Sequence, residues 1–224
     1  MKSDDIYSII SVSLRSIASS FPVAASIANA WNEVEGKIRE KRINEYFEIL
    51  RLKFSQVEKE IEKVQNVLEQ EEVAELIEKT ISKILTTPSK YKRTLFANTF
   101  INSLIEWEKL SHDTKISIIE SLDVLTNQDL QVLRHFKSGQ IIRIDRLLNV
   151  LTELYGTKEE RLSLLIVSLT KLESRGIIGQ TATSAGDVYG GAGLSDEWTN
   201  RWQNRYYEIL PFGINFKKIT EIND

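Results

Sequence analysis

The chain has 224 residues with 10 Gly, 3 Pro, no Cys, 42% hydrophobic and 27% charged residues, enough for a substantial core in one elongated domain or two small ones. The lack of Cys excludes a disulfide framework, a thiolate zinc site, an iron–sulfur cluster and a cysteine nucleophile, and fits a cytosolic protein. Sparse Gly and Pro beside abundant Glu, Lys, Leu and Ile point to a mainly α fold, and a net charge of −3 lacks the basic excess of a dedicated nucleic-acid binder.

The N-terminus is the least polar stretch. From Ile6 to Asn32 the only charge is Arg15. A membrane span needs about 20 predominantly apolar residues, whereas Ser8, Ser11, Ser13, Ser16, Ser19 and Ser20 interrupt this run. Asp4 and Asp5 stand where a secretory leader carries basic residues. The expectation is two helices joined near Phe21-Pro22. Residues 6–31 are also a candidate for peripheral membrane contact as an amphipathic hairpin; the scarcity of Lys and Arg favours packing into the protein instead.

A long helix is expected after Pro22. Ile43, Phe47, Leu50, Phe54, Val57, Ile61, Val64 and Leu68 are spaced 4-3-4-3-4-3-4, a coiled-coil-like seam of more than three heptads. Ile27, Trp31, Val34 and Ile38 follow the same spacing in another register, so the phase breaks between Ile38 and Ile43 beside Gly36. The seam requires a partner helix, from this chain or from a second copy. Amphipathic helices follow directly at about 71–85, 89–107 and 113–125, which favours the first choice. Residues 1–125 thus read as a helical bundle with one long member. Its acidity is local, with eight Glu in residues 58–78 against Lys59 and Lys63.

From Thr126 the pattern changes. Helices are expected from Thr126 to about Phe136, from about Ile142 to Tyr155 and from about Lys158 to Arg175. A strand-like run begins at Gly176, a Gly-, Ala- and Ser-rich loop follows, a second strand spans Arg205 to Leu210, and Pro211 opens a final helix. Residues 126–224 therefore read as a winged-helix-like domain with a small two-stranded wing. They carry 12 Lys/Arg against 12 Asp/Glu, so no net positive charge is available for counterion release on DNA. The third helix of this domain is apolar nearly all round, and Ser163, Ser168, Lys171 and Arg175 make a thin polar face for groove contact.

No catalytic or metal-binding constellation emerges. The glycines of GDVYGGAGLSD match neither a phosphate-cradling loop nor a dinucleotide fingerprint. His112 and His135 are the only histidines. They lack the spacing that places two ligands on one helix face, and Asp113 of the His112-Asp113 pair reads as a helix cap. No GxSxG elbow is present. The expectation is a protein that is not an enzyme and takes no cofactor. Trp198, Arg201, Trp202, Arg205 and Tyr206 form the candidate partner-contact set, since aromatics interleaved with Arg anchor interfaces or stack on bases.

The run Lys92-Arg93-Thr94-Leu95-Phe96-Ala97-Asn98-Thr99-Phe100-Ile101-Asn102-Ser103-Leu104, then Ile116 to Leu125 and Thr126-Asn127-Gln128-Asp129-Leu130-Gln131-Val132-Leu133, resembles the central part of the Abi-alpha-like proteins of bacterial abortive infection. The ending Tyr207-Glu208-Ile209-Leu210-Pro211-Phe212-Gly213 resembles the strand-to-helix joint of winged-helix tails in such proteins. The resemblance covers these runs within residues 92–133 plus the tail. It implies a helical, non-catalytic protein of a bacterial defence locus and brings no catalytic residues with it. The expected function is an interaction or effector subunit that works by protein–protein contact or self-association. A winged-helix DNA-binding regulator and a membrane-acting effector are the alternatives.

Overall fold

The computed structural model of the protein describes residues 29–56, 67, 70–150, 157–181 and 205–222. Among them are eight α-helices and one three-stranded antiparallel sheet, so the fold is mainly helical. The chain divides into two compact units, Met1–Val124 with Ile219–Glu221 and Leu125–Lys218 with Ile222–Asp224. The expected helical pair around Phe21-Pro22, and with it most of the 6–31 stretch, lies outside the described residues, as do Val57, Ile61, Val64 and Leu68 of the seam.

The first unit contains α1 (Asn29–Gln56), α2 (Glu71–Thr86), α3 (Lys90–Ile105), a 3-10 turn (Trp107–Lys109) and α4 (His112–Val124). The break in apolar phase beside Gly36 does not interrupt α1, which is continuous through it. Tyr46, Phe47, Leu50 and Phe54 of α1 are each no more than 2% exposed, and α1 packs on α2 and α3. Of the described seam residues, Phe47, Leu50 and Phe54 are therefore consumed inside the unit, while Ile43 is half-buried. Helix α3 is the central member, with Leu95, Phe96, Ala97, Phe100, Ile101 and Leu104 all buried. Packing on several sides explains why its apolar residues show no single stripe.

Helix ends follow their local chemistry. Glu71 and Glu72 lie in the first turn of α2, where carboxylates complement the helix dipole. At its other end Arg42 donates to the Leu85 carbonyl at 2.6 Å. Arg93, 5% exposed, donates to the Thr87 and Pro88 carbonyls at 3.0 and 2.9 Å and pairs with Glu45. Two guanidinium groups thus satisfy carbonyls that a helix leaves orphaned. Ser89 caps α3 through the Lys92 N–H. The cap of α4 is Ser111, whose Oγ accepts the Thr114 N–H at 3.2 Å; Asp113, expected at that position, falls inside the first turn. Lys115 is 2% exposed, donates to the Trp107 and Leu110 carbonyls at 2.8 Å, and sits 3.8 Å over the Trp107 ring. Burial pulls its pKa below the usual lysine value, with Glu72 opposing the shift.

The second unit contains α5 (Asn127–Arg134), β1 (Ile141–Arg143), α6 (Ile144–Val150), α7 (Lys158–Ser174), β2 (Ile178–Thr181), β3 (Tyr206–Ile209) and most of α8 (Pro211–Thr220). Strand order is β1-β3-β2, both pairs antiparallel, with Ile142 opposite Tyr207 and Ile178 opposite Ile209. This corrects the expected two-stranded wing. The helix expected from about Ile142 starts later: Ile141-Ile142-Arg143 pairs with β3, and the helix that follows begins at Ile144. A strand of three residues has no periodicity of its own; its partner lies some sixty positions away.

Capping sets the frame of this unit. Thr126 and Asp129 form a capping box on α5, and Thr157 and Glu160 form another on α7. Helix α7 ends in a Schellman motif, with Gly176 at φ +66°, its N–H bonded to the Glu173 carbonyl at 2.9 Å and the Ile177 N–H to the Leu172 carbonyl at 3.0 Å. The Pro211-Phe212-Gly213 start of α8 then lies against Ile177. A Cβ on Gly213 would sit 2.0 Å from the Ile177 carbonyl oxygen, so only glycine fits there.

Candidate functional site

Helix α7 is the best-defined candidate surface because its two faces separate cleanly. Leu162, Leu165, Ile166, Leu169 and Leu172 are buried, and the helix packs on α5, α6 and β2. Glu160, Ser163, Leu164, Val167, Thr170 and Ser174 are exposed. Their spacing of three and four residues aligns them in one stripe. Val167 is 52% and Leu164 42% exposed, two aliphatic side chains at the middle of a solvent-facing helix. The all-round apolarity of the sequence thus resolves into a core face and a second, smaller apolar face.

Helix α7 is charge-balanced, with Lys158, Arg161 and Lys171 against Glu159, Glu160 and Glu173, so it offers phosphate no basic excess. Glu159 and Glu160 are exposed in its first turn, where they repel an anionic backbone. Lys171, at the edge of the stripe, is held at 3.2 Å from Asp129 of α5. That carboxylate is 2% exposed and also accepts the Thr126 N–H at 2.7 Å. Arg175 is exposed just beyond the last turn. Base edges in a major groove are read by Arg, Lys, Asn and Gln donors and acceptors; the middle of this stripe offers two aliphatics and the hydroxyls of Ser163 and Thr170.

Of the expected contact set, Arg205 and Tyr206 are half-buried at the start of β3, while Trp198, Arg201 and Trp202 lie outside the described residues. The Arg205 carbonyl accepts the Ile144 N–H at 3.1 Å. Tyr206 lies opposite Arg143 on one side and Thr181 on the other. Arg143 is bidentate to Asp145, its Nε 2.6 Å from Oδ1, and this pairing holds the Asp145 carboxyl below its usual pKa. Beside Tyr206, the Tyr207 hydroxyl is pushed up by burial. These groups brace the sheet.

His112 bonds Glu75 at 2.8 Å on the surface of the first unit. Among the described residues no group of three or more His, Asp or Glu side chains could hold a metal ion, and no helix is long and apolar enough to cross a membrane. No protein-family model, curated protein or solved structure matches the chain. The surface that the sequence reading overlooked is the pair Leu164 and Val167. A signal was available, since the Leu162–Leu165–Leu169–Leu172 row fixes the core face once Thr157 and Glu160 set the start of the helix.

Proposed function

We propose that the second unit is a winged helix used for protein contact through the exposed face of α7, within a non-enzymatic interaction or effector subunit. Its element order, helix–strand–helix–helix–strand–strand with the last strand-forming segment in the middle of the sheet, supports the winged-helix reading. The single observation that carries protein contact over DNA reading is the stripe itself: Leu164 and Val167 exposed at its centre, Glu159 and Glu160 at its start, and Lys171 drawn onto Asp129. Leu164 and Val167 stand one turn apart on one face, and contiguous exposed apolar surface rimmed by polar residues marks protein interfaces.

The setting in a bacterial abortive-infection system rests on the resemblance of residues 92–133 and 207–213 to Abi-alpha-like proteins. Fluorescence anisotropy of a labelled duplex at low salt separates the contact module from a DNA-binding regulator. No change in anisotropy is expected. Binding that weakens steeply with salt, the mark of counterion release, would replace it with the regulator.

A further inference from the structure

We infer that the partner of the α7 face is the same face of a second copy of this chain, packed antiparallel about a two-fold axis at Val167. The inference rests on the protein-contact reading and deepens it. The stripe is nearly palindromic in position and complementary in charge. Val167 stands near its midpoint, with Glu160 seven residues before and Arg175 eight after, both exposed. On an α-helix, Glu160, Leu164, Lys171 and Arg175 fall on one side of the line through Val167, and Ser163, Thr170 and Ser174 on the other. A two-fold axis perpendicular to the helix keeps each side facing itself while reversing direction. Glu160 then meets Arg175 of the second copy, Leu164 lies along the aliphatic stem of its Lys171, Ser163 meets Thr170, and the two Val167 side chains meet on the axis.

Antiparallel alignment also opposes the two helix dipoles favourably. The parallel arrangement would set Glu160 against Glu160 and Arg175 against Arg175, so the charges select the antiparallel one. A 17-residue helix face is a strip roughly 25 Å by 10 Å, short of the ~800 Å² per partner of a standard interface. The dimer formed by this face is therefore weak and dependent on protein concentration.

Sedimentation equilibrium of the full chain from about 10 μM to about 1 mM spans the affinities expected of such a face. The expected result is a monomer–dimer equilibrium that Val167→Asp abolishes, because it sets two carboxylates together on the axis. Glu160→Arg and Arg175→Glu are each expected to weaken the dimer about tenfold. An equimolar mixture of these two variants, or the double variant in one chain, is expected to restore it. Glu160 also serves the α7 capping box, so far-UV circular dichroism accompanies each variant. Val167→Asp and Arg175→Glu change exposed positions outside that box and stand as the controls. A monomer at every concentration, or a dimer indifferent to Val167→Asp and to the charge swap, would overturn the inference. A monomer that ignores duplex DNA defeats self-association alone, whereas a monomer that binds duplex with steep salt dependence defeats the protein-contact reading too.

Discussion

The ammonium of Lys171 lies 3.2 Å from the carboxylate of Asp129, and Asp129 is 2% exposed. One buried carboxylate therefore closes the capping box of α5 and anchors a cation of α7 at the edge of its exposed stripe. Asp129→Ala removes both roles and is expected to destabilise the second unit by about 2–3 kcal/mol. Lys171→Met keeps the capping bonds but leaves the buried carboxylate without its cation, and is expected to cost about 1–2 kcal/mol. Hydrogen exchange at the α5 and α7 amides measures the two effects; equal losses for both variants would show that the capping role carries nothing.

Glycine substitutions at two positions are expected to have opposite signs. A Cβ on Gly213 would meet the Ile177 carbonyl oxygen at 2.0 Å and Ile209 Cγ1 at 2.8 Å, and the backbone carbonyl cannot rotate away. Gly213→Ala is expected to destabilise the second unit by about 3 kcal/mol or more. Around Gly36, inside α1, a Cβ would meet nothing within 4 Å. Gly36→Ala is expected to stabilise the first unit by about 0.5–1 kcal/mol. Thermal unfolding of the two variants reads both signs, and a neutral Gly213→Ala would refute the close approach of α8 to Ile177.

Arg93 is a heavily committed cation of the first unit. Its guanidinium holds the Thr87 and Pro88 carbonyls and Glu45 while only 5% exposed. Arg93→Met leaves a carboxylate and two carbonyls without their donor and is expected to cost about 3 kcal/mol or more. Arg42→Met, which loses one bond to Leu85, is expected to cost about 1 kcal/mol. Urea unfolding of the two variants gives the ranking, and a reversed order would mean that Arg42, not Arg93, closes the end of α2.

The acid limb of stability is expected to depend on Asp145. Its pKa is lowered by the bond to Arg143, with smaller help from the Arg146 N–H and from neighbouring charge. A depressed folded-state pKa gives stability that is complete above the unfolded value of about 3.9 and is lost as pH falls through the lower folded value. Between about pH 4 and that value the wild type is expected to lose stability, and Asp145→Asn to lose less over the same interval. Both groups are substantially exposed, so solvent screening keeps the difference small. Denaturant midpoints across that interval decide it; identical slopes would show that the pair carries no linkage.

Much of the fold was legible because its signals are local. Thr126 with Asp129 and Thr157 with Glu160 announce helix starts, Gly176 announces an end, and Pro88 and Pro211 punctuate α2 and α8. What escaped was non-local. Ile141-Ile142-Arg143 becomes a strand only through Tyr206, Tyr207 and Glu208. Asp129 shows its second role only when α7 brings Lys171 to it, and the requirement for Gly213 comes from the Ile177 carbonyl. In the sequence Leu164 and Val167 merge into a helix that is apolar nearly all round, because hydrophobicity alone does not distinguish a buried aliphatic from one that faces a partner. Direction around the helix, fixed by packing on α5, α6 and β2, makes the distinction.

Photo-crosslinking identifies the class of molecule that covers the α7 stripe. A diazirine-bearing amino acid at position 167, activated by light in the producing cell, is the measurement, with the same group at exposed Gln140 as the control. An adduct is expected at 167, absent at 140, that protease destroys and nuclease leaves intact. An adduct removed by nuclease, or none above the control, would contradict it.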